Sequence, residues 1–302
     1  MNHSLQHFGH SSRTALVLGG GGSTGNAWLI GVIAGLFNRG LDVTDADLIV
    51  GTSAGSTAAA QITGATPPQL LAQILDTVPP QRSGPIGPDG GRPANGAVAG
   101  HMERLTRIIA AAAAPADLRR RMGAAALETD ATADGSARWR SIVAARLPRQ
   151  EWPDQRVLIT AVDARTGDPS VFDSDAGIDL VDAVAASCAS GFAYSVGEAR
   201  YIDGGYRSNA ENADLATGYA RVLVLSPFGG RSLTPPEWGT HLSTQVDDLR
   251  ANGSTVETVF PESDAEYLFG PNAMDLSLRA PAARAGYDQG RALAGRLGGF
   301  WR

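Results

Sequence analysis

Two glycine-rich turns near the start of the chain constrain its fold more than any other feature. The first, GGGGSTG at residues 19–25, follows the apolar run Thr14–Leu18. The second, GTSAG at residues 51–55, follows the apolar run Asp47–Val50. A helical pattern comes after each turn. A repeated order of strand, glycine turn and helix is typical of a parallel sheet with crossover helices.

The later sequence continues this alternation, with one interruption. Helices are predicted at Ala27–Arg39, Ala54–Thr63, Ile178–Cys188, Pro235–Ala251 and Asp275–Leu297. Further strands are predicted at Arg156–Ala164, Ser170–Asp173, Tyr201–Asp203, Arg221–Leu225 and Val256–Phe260. The pattern breaks between about residues 76 and 150, where the Pro- and Gly-rich stretch Val78–Gly100 leads into the alanine-rich helical stretch His101–Leu127.

These patterns predict a flexible tail at residues 1–13 and a single domain over residues 14–302. The segment at about 76–150 is either a lid over a pocket, as long irregular insertions often are, or a linker with a surface helix pair.

Charge and composition exclude several classes of protein. A net charge of -6 and a pI near 5.4 argue against nucleic-acid binding, which requires a basic surface. Cys188 is the single cysteine, so no intrachain disulfide can form and a reducing compartment is expected. The polar first thirteen residues lack the apolar core of a signal peptide, and no apolar stretch is long enough to span a membrane. We expect a cytoplasmic protein whose membrane contact, if any, is peripheral.

The turn at Gly51-Thr52-Ser53-Ala54-Gly55 is a G-x-S-x-G motif between a strand and a helix. In such a turn the serine hydroxyl is exposed near a helix N-terminus, and the glycines make room for the sharp bend. The motif predicts that Ser53 is a nucleophile. The alternative is a tight glycine turn with an incidental serine.

The glycine loop at residues 19–25 can bind an anion, because successive N–H groups at a helix start point towards one site. The anion could be a phosphate or the oxyanion of acyl transfer. The loop also matches G-x-G-x-x-G from Gly20 to Gly25, the dinucleotide fingerprint. A dinucleotide site would need an acidic residue at the end of the second strand, but that strand ends in Gly51 and the serine turn. An oxyanion site beside a nucleophile explains both turns.

A nucleophilic serine needs a base, and histidine is poorly supplied. Three of the five histidines lie in the N-terminal tail and His101 lies in the insertion, which leaves only His241 in a predicted helix. The other candidate is Asp203, which ends an apolar strand and is followed by Gly204 and Gly205. Catalytic groups collect at the ends of such strands, although Asp-Gly is also an ordinary turn sequence.

Taken together, these elements resemble the patatin-like phospholipase family. The resemblance rests on GGGGSTG at 19–25, GTSAGS at 51–56 and YIDGGYRSN at 201–209. It extends to DLVDAVAASCASGF before the aspartate, to RVLVLSP after it, and to RAGYDQGRAL near the C-terminus. It covers most of the chain outside residues 76–150.

The resemblance implies a three-layer α/β/α sandwich with a mostly parallel central sheet. It also implies a dyad with Ser53 as nucleophile and Asp203 as base, and an oxyanion hole formed by Gly20, Gly21 and Gly22. The glycines that support these motifs are Gly25, Gly51, Gly55, Gly204 and Gly205. The implied activity is hydrolysis of acyl esters of lipids, as in a phospholipase A, a lysophospholipase or an esterase.

No cofactor is expected. The sequence has no histidine pair at helical spacing and no calcium-binding loop, so we expect no metal site and calcium-independent hydrolysis. The expected partner is a lipid or small acyl-ester substrate.

The chain departs from the family pattern at two places. Thr24 stands where the family usually has Arg or Lys, and residues 191–195 lack the usual proline. Two other functions stay open from the sequence. One is a Ser-His-Asp α/β-hydrolase that uses His241, and the other is a catalytically degenerate module that binds lipid or nucleotide.

Overall fold

The computed structural model describes residues 13–77, 94–129 and 133–302. The predicted N-terminal tail, apart from residue 13, and residues 78–93 of the Pro- and Gly-rich stretch fall outside these ranges, whereas residues 94–100 of that stretch are helical. The strands are β1 Thr14–Leu18, β2 Leu48–Gly51, β3 Val157–Asp163, β4 Pro169–Phe172, β5 Tyr194–Val196, β6 Ala199–Asp203, β7 Arg221–Leu225 and β8 Thr255–Val259. The helices are α1 Gly22–Asn38, α2 Ala54–Ile62, α3 Pro67–Asp76, α4 Ala94–Ala111, α5 Pro115–Glu128, α6 Ala133–Ala144, α7 Leu180–Ser187, α8 Leu242–Ala251 and α9 Arg279–Trp301.

The strands form one sheet whose hydrogen-bonded order is β5-β6-β3-β2-β1-β7-β8, with β4 also pairing with β3. The pairings from β3 through β2, β1 and β7 to β8 are parallel. The pairings of β3 with β4 and β6, and of β5 with β6, are antiparallel. The carboxyl ends of β1 and β2, where the two glycine turns begin, therefore lie side by side.

The register along β3 brings the ends of two other strands together. Ile159 pairs with Gly51 of β2 and with β4, and Ala161 pairs with Asp203 of β6 and with β4. Because a strand has only two edges, β2 and β6 lie along the same edge of β3, opposite β4. They run in opposite directions, so their carboxyl ends meet opposite Thr160, the β3 residue between the two pairing positions.

Helical layers cover both faces of the sheet. Alternate strand residues such as Leu16, Ile49 and Leu223 pack against a layer that includes α1, α2, α7 and α9. The intervening residues, such as Val17 and Val50, pack on the other face, which α8 covers in part. Successive residues of these strands are apolar and point to opposite faces, as expected for a sheet that is buried on both sides. The predicted α/β class with a mostly parallel central sheet is confirmed.

The described part of the predicted lid is helical and packs on the rest of the molecule. Met122 of α5 lies in a cluster with Val162 of β3 and Ile202 of β6. A Cβ at Gly123 would lie 2.1 Å from the carbonyl oxygen of Ala164, so α5 approaches the backbone after β3 very closely. The α6 helix is joined to α7 by a hydrogen bond from the indole of Trp139 to the carbonyl of Ala185.

The starts of three helices differ from the sequence prediction by four residues or more, and each difference has a local cause. The α1 helix begins at Gly22 instead of Ala27, because the glycine loop itself turns into the first helical residues. The α8 helix begins at Leu242 instead of Pro235, since Gly239 adopts a left-handed conformation in between. The α9 helix begins at Arg279, after a 3-10 turn that the side chain of Asp275 caps.

The first and last helices of the described chain pack against each other through glycines. A Cβ at Gly35 of α1 would lie 2.2 Å from the carbonyl oxygen of Tyr287, and one at Gly290 of α9 would lie 2.2 Å from that of Val32. Side chains at these positions would push the two helices apart. Within the described residues, no helix is long and apolar enough to cross a membrane.

Candidate active site

The turn after β2 holds Ser53 in an unusual backbone conformation. Its φ is 52° and its ψ is −117°, and only one other non-glycine residue in the described ranges, Asn212, has a positive φ. A Cβ at Gly51 would lie 2.7 Å from the Cα of Ser56, and one at Gly55 would lie 1.9 Å from the carbonyl oxygen of Leu18. Both glycines are therefore required by the close approach of the backbone, as the sequence predicted for such a turn.

The structure brings Ser53 and Asp203 into direct contact. The Oγ of Ser53 donates a hydrogen bond to Oδ2 of Asp203 at 2.8 Å. The other carboxylate oxygen, Oδ1, accepts from the backbone N–H of Gly205 at 2.8 Å. A Cβ at Gly204 would lie 2.1 Å from the hydroxyl oxygen of Thr160, so Gly204 lets the chain turn directly against β3.

Burial changes the acidity of Asp203, whose side chain is almost fully enclosed. Loss of hydration raises the pKa of Asp203 to about 6, and the hydrogen bonds from Gly205 and Ser53 partly oppose this shift. A carboxylate with this pKa is a stronger base than an exposed aspartate and still ionised at neutral pH.

Three side chains that the sequence analysis missed fix the backbone of Ser53. The N–H of Ser53 donates to the hydroxyl of Ser187 at 2.9 Å. Its carbonyl oxygen accepts from the hydroxyl of Ser56 at 2.6 Å and from the thiol of Cys188 at 3.1 Å. Burial, followed by the charge of Asp203, raises the pKa of Cys188 to about 11, so the thiol is protonated and can donate. Ser187 and Cys188 lie far from Ser53 in sequence, and no local pattern marks them.

The glycine loop faces Ser53 at the start of α1. A Cβ on Gly20 would lie 3.5 Å from the Cβ of Ser53. The N–H of Gly20 is occupied, because it donates to the carbonyl of Ala210 at 2.8 Å. Within the described chain, the N–H groups of Gly21 and Gly22 have no hydrogen-bond partner. The three predicted oxyanion residues thus differ, since only the last two have free donors.

Close packing and two long-range contacts hold this loop in place. A Cβ at Gly21 would lie 2.5 Å from the ring of Pro227, and one at Gly25 would lie 3.1 Å from it. The N–H of Thr24 donates to the carbonyl of Ala273 at 3.0 Å, and the Thr24 side chain is buried. The guanidinium of Arg279, from the start of α9, donates to the carbonyl and hydroxyl oxygens of Ser23 at 2.9 and 3.1 Å. No sequence pattern indicates this role for Arg279.

A second buried carboxylate lies behind the glycine loop. Glu211 is 1% exposed, and its Oε1 accepts a hydrogen bond from the hydroxyl of Ser226 at 2.6 Å. A Cβ at Gly19 would lie 3.2 Å from its Cγ. Burial raises the pKa of Glu211 to about 7.

His241 is engaged elsewhere in the structure. It occupies the position before the first residue of α8, and its Nε2 lies 2.7 Å from the carbonyl oxygen of Thr234. The hydroxyl of Ser53 has Asp203 as its partner. The arrangement of a Ser-His-Asp triad around His241 is therefore not present.

A small cavity of about 20 Å³ lies between α4, α5 and the turn after β6. Its wall is mostly apolar and includes Leu105, Ile108, Met122 and Tyr206. Burial and the nearby charge of Asp203 raise the pKa of the Tyr206 phenol. No group of three or more potential metal-ligating His, Cys, Asp or Glu side chains occurs in residues 13–77, 94–129 and 133–302.

Comparison with known families identifies the chain. The model of the patatin-like phospholipase family matches residues 16–215, which include the glycine loop, the serine turn and Asp203. The chain belongs to this family. The resemblance that the three motifs suggested is thus confirmed.

Three solved structures similar to this patatin-like chain share little sequence identity with it. VipD from Legionella pneumophila is 14% identical, with a TM-score of 0.43, and the match covers 95% of this chain and 67% of VipD. The type III effector ExoU is 13% identical, with a TM-score of 0.38 and coverage of 94% and 53%. In a complex of ExoU with SpcU from Pseudomonas aeruginosa, the matched chain is 17% identical, with a TM-score of 0.38 and coverage of 95% and 53%.

The chain spans about half the length of ExoU. Among proteins with curated descriptions, none matches this chain in sequence.

Proposed function

We propose that this protein hydrolyses acyl esters of lipids, with Ser53 as nucleophile and Asp203 as general base. The hydrogen bond of 2.8 Å between Ser53 Oγ and Asp203 Oδ2 is the observation on which the proposal rests. Family membership supports a lipid substrate. The strained backbone of Ser53 supports a catalytic role, because strain of this kind is concentrated at functional sites.

The first half of the reaction forms an acyl-enzyme. Asp203 accepts the hydroxyl proton of Ser53 as Oγ attacks the ester carbonyl. The negative charge that develops on the carbonyl oxygen is stabilised by the free N–H groups of Gly21 and Gly22, at the positive end of α1. When the tetrahedral intermediate collapses, the alcohol leaves with the proton held by Asp203.

The second half repeats these roles with water. Asp203 accepts a proton from a water molecule, whose oxygen attacks the acyl carbonyl. The intermediate then collapses, releasing the fatty acid, and the proton returns to Ser53 Oγ. In this scheme Gly20 lines the site with its backbone, because its N–H is already bound to Ala210.

The acyl chain of the substrate would bind between α4 and α5, and the apolar side chains there support this assignment. Leu105, Ile108 and Met122 border the cavity beside Tyr206, three residues after the base. We assign these helices the role of the predicted lid, which would open around the acyl chain when substrate binds.

The test is hydrolysis of p-nitrophenyl esters of increasing acyl length by the wild type, Ser53→Ala and Asp203→Asn. We expect kcat to fall by at least about 10³-fold in both variants, because residues of such a unit act together. His241→Ala serves as the control and is expected to keep wild-type activity. Loss of activity in His241→Ala, with activity kept in Asp203→Asn, would overturn the dyad.

A further inference from the structure

The two proposed catalytic residues lie at the ends of separate strands, so their relative position depends on the contacts that hold the two strand ends together. Ser53 follows the end of β2 and Asp203 ends β6, and these ends meet along one edge of β3. No strand pairing joins β2 directly to β6. The distance between nucleophile and base therefore depends on contacts made at the junction.

The side-chain amide of Asn212 lies in this junction. Its Nδ2 donates to the hydroxyl oxygen of Thr52, the residue before Ser53, at 3.0 Å. It also donates to the carbonyl oxygen of Gly204, the residue after Asp203, at 3.0 Å. The two hydrogens of one amide thus reach the neighbours of both proposed catalytic residues.

The third member of the junction is Thr160 of β3. Its hydroxyl lies 3.0 Å from that of Thr52 and 3.4 Å from Nδ2 of Asn212. Thr52, Thr160 and Asn212 are all fully buried. In such an interior a hydrogen bond is strengthened and a lost partner is costly, so this cluster holds one arrangement.

The backbone conformation and hydrogen bonds of Asn212 fix the orientation of its side-chain amide. Asn212 adopts a left-handed conformation with φ of 56°, and its N–H donates to Oδ1 of Asn209 at 2.7 Å. Its Oδ1 accepts from the guanidinium of Arg207 at 3.0 Å, which leaves Nδ2 directed at the junction. A left-handed conformation is unfavourable for most residues and is kept where the surroundings require it.

We propose that Asn212 is a positioning residue that sets the alignment of Ser53 with Asp203 by joining the ends of β2 and β6. The inference rests on the proposed function. It predicts that losing the amide slows chemistry more than it weakens substrate binding, because misplacing a reacting group by about 1 Å can cost roughly 100-fold.

The first test is Asn212→Gly, since glycine adopts the left-handed conformation without strain. We expect kcat on a p-nitrophenyl ester to fall about 10- to 100-fold, with KM within about twofold of the wild type. Labelling of Ser53 by a fluorophosphonate should slow by a similar factor.

The matched control is Gln245→Leu. The side chain of Gln245 is a buried amide that accepts from Asn209 and Ala213 of the same loop and has no hydrogen bond to either strand end. The substitution should lower the melting temperature but leave kcat within about twofold.

A second pair of variants tests the same contact from the other side. Thr52→Val removes the hydroxyl that accepts from Asn212 and keeps the side-chain shape, whereas Thr52→Ser keeps the hydroxyl. We expect a loss of kcat in Thr52→Val and near wild-type kcat in Thr52→Ser, and this pair decides the matter if Asn212→Gly does not fold.

The outcomes separate this inference from the proposed function. If Ser53→Ala is inactive while Asn212→Gly, or Thr52→Val, keeps wild-type kcat, the positioning role is overturned and the proposed function stands. Equal losses of kcat in Gln245→Leu and Asn212→Gly would also overturn it. A wild type that neither hydrolyses esters nor reacts with the fluorophosphonate would overturn the proposed function, and the inference with it.

Discussion

At the scale of single residues, the environment of Asp203 determines what chemistry the site can perform. An aspartate in water is too weak a base to help a serine hydroxyl, since its pKa is about 3.9. Burial raises the pKa of Asp203 to about 6, and Oδ2 of Asp203 accepts directly from Ser53 Oγ at 2.8 Å, so the proposed base reaches the hydroxyl without an intervening histidine. The enclosure of the carboxylate beside the serine turn thus raises its pKa and keeps it in contact with Ser53.

This pKa predicts the acid limb of the pH profile. Asp203 must be ionised to accept a proton, so kcat/KM should fall about tenfold per pH unit below pH 6 and level off above it. The measurement is kcat/KM from pH 4.5 to 8, followed at a wavelength where protonation of the product does not change the signal. Glu211→Gln is the control for the other buried acid and should keep this profile. An acid limb that disappears in Glu211→Gln would contradict the assignment to Asp203.

Glu211 should instead control the pH dependence of stability. Its pKa is about 7 in the folded protein against an ordinary value of 4.5, so its contribution to folding stability is fully present below pH 4.5 and is lost as pH rises through 7. Glutamine keeps the acceptor for Ser226 without a charge. From pH 5 to 8 we expect the free energy of unfolding of Glu211→Gln to gain about 2–3 kcal/mol relative to the wild type. Urea unfolding at both pH values measures this gain, and an equal difference at the two would contradict it.

At the scale of elements, the glycine loop and the serine turn show that glycines in similar motifs have different roles. At Gly55 an added methyl group would collide with the backbone of Leu18, whereas at Gly20 it would make only ordinary contacts, the nearest being the Cβ of Ser53. The first position is therefore closed by packing. The second is open in the folded protein, and its free space lies beside Ser53.

We therefore expect Gly20→Ala to fold normally but to lose activity. Its free energy of unfolding should stay within about 1 kcal/mol of the wild type. Its kcat/KM should fall at least about tenfold, because the methyl group occupies space beside Ser53 that the substrate carbonyl needs. The matched control is Gly295→Ala in α9, where an added Cβ has no neighbour within 4 Å. Its kcat/KM should be unchanged, and its free energy of unfolding should rise by about 0.5–1 kcal/mol, because alanine favours a helix interior over glycine. Full activity in Gly20→Ala would show that the loop does not face the substrate.

The elements also show how far the sequence could predict the structure. Thr14–Leu18 and Arg221–Leu225 were predicted with the bounds that the structure has. A short apolar run with turn-forming or polar residues beside it indicates a buried strand. Asn212 and Thr160 could not be predicted, since their importance arises only when β2 and β6 meet on β3. The antiparallel direction of β6 is likewise a long-range property, which no local spacing encodes.

At the scale of the whole molecule, the sheet and its closing helices explain why distant segments meet at one site. The glycine loop follows β1, the serine turn follows β2 and the aspartate ends β6, and the register of β3 brings the last two together. The last helix, α9, packs on α1 through glycines and supplies Arg279 to the glycine loop. The proposed site therefore depends on segments from residue 19 to residue 279. For this reason no single motif was enough to predict the site, and the motifs had to be considered together.

The central claim is that Ser53 is activated by Asp203, and covalent labelling tests it most directly. The wild type is treated with a fluorophosphonate, and the modified residue is identified by mass spectrometry of peptides. We predict a single adduct on Ser53, no adduct in Ser53→Ala, and labelling slowed by at least about 100-fold in Asp203→Asn. Labelling of another residue, or labelling of Ser53 at an unchanged rate in Asp203→Asn, would contradict the account.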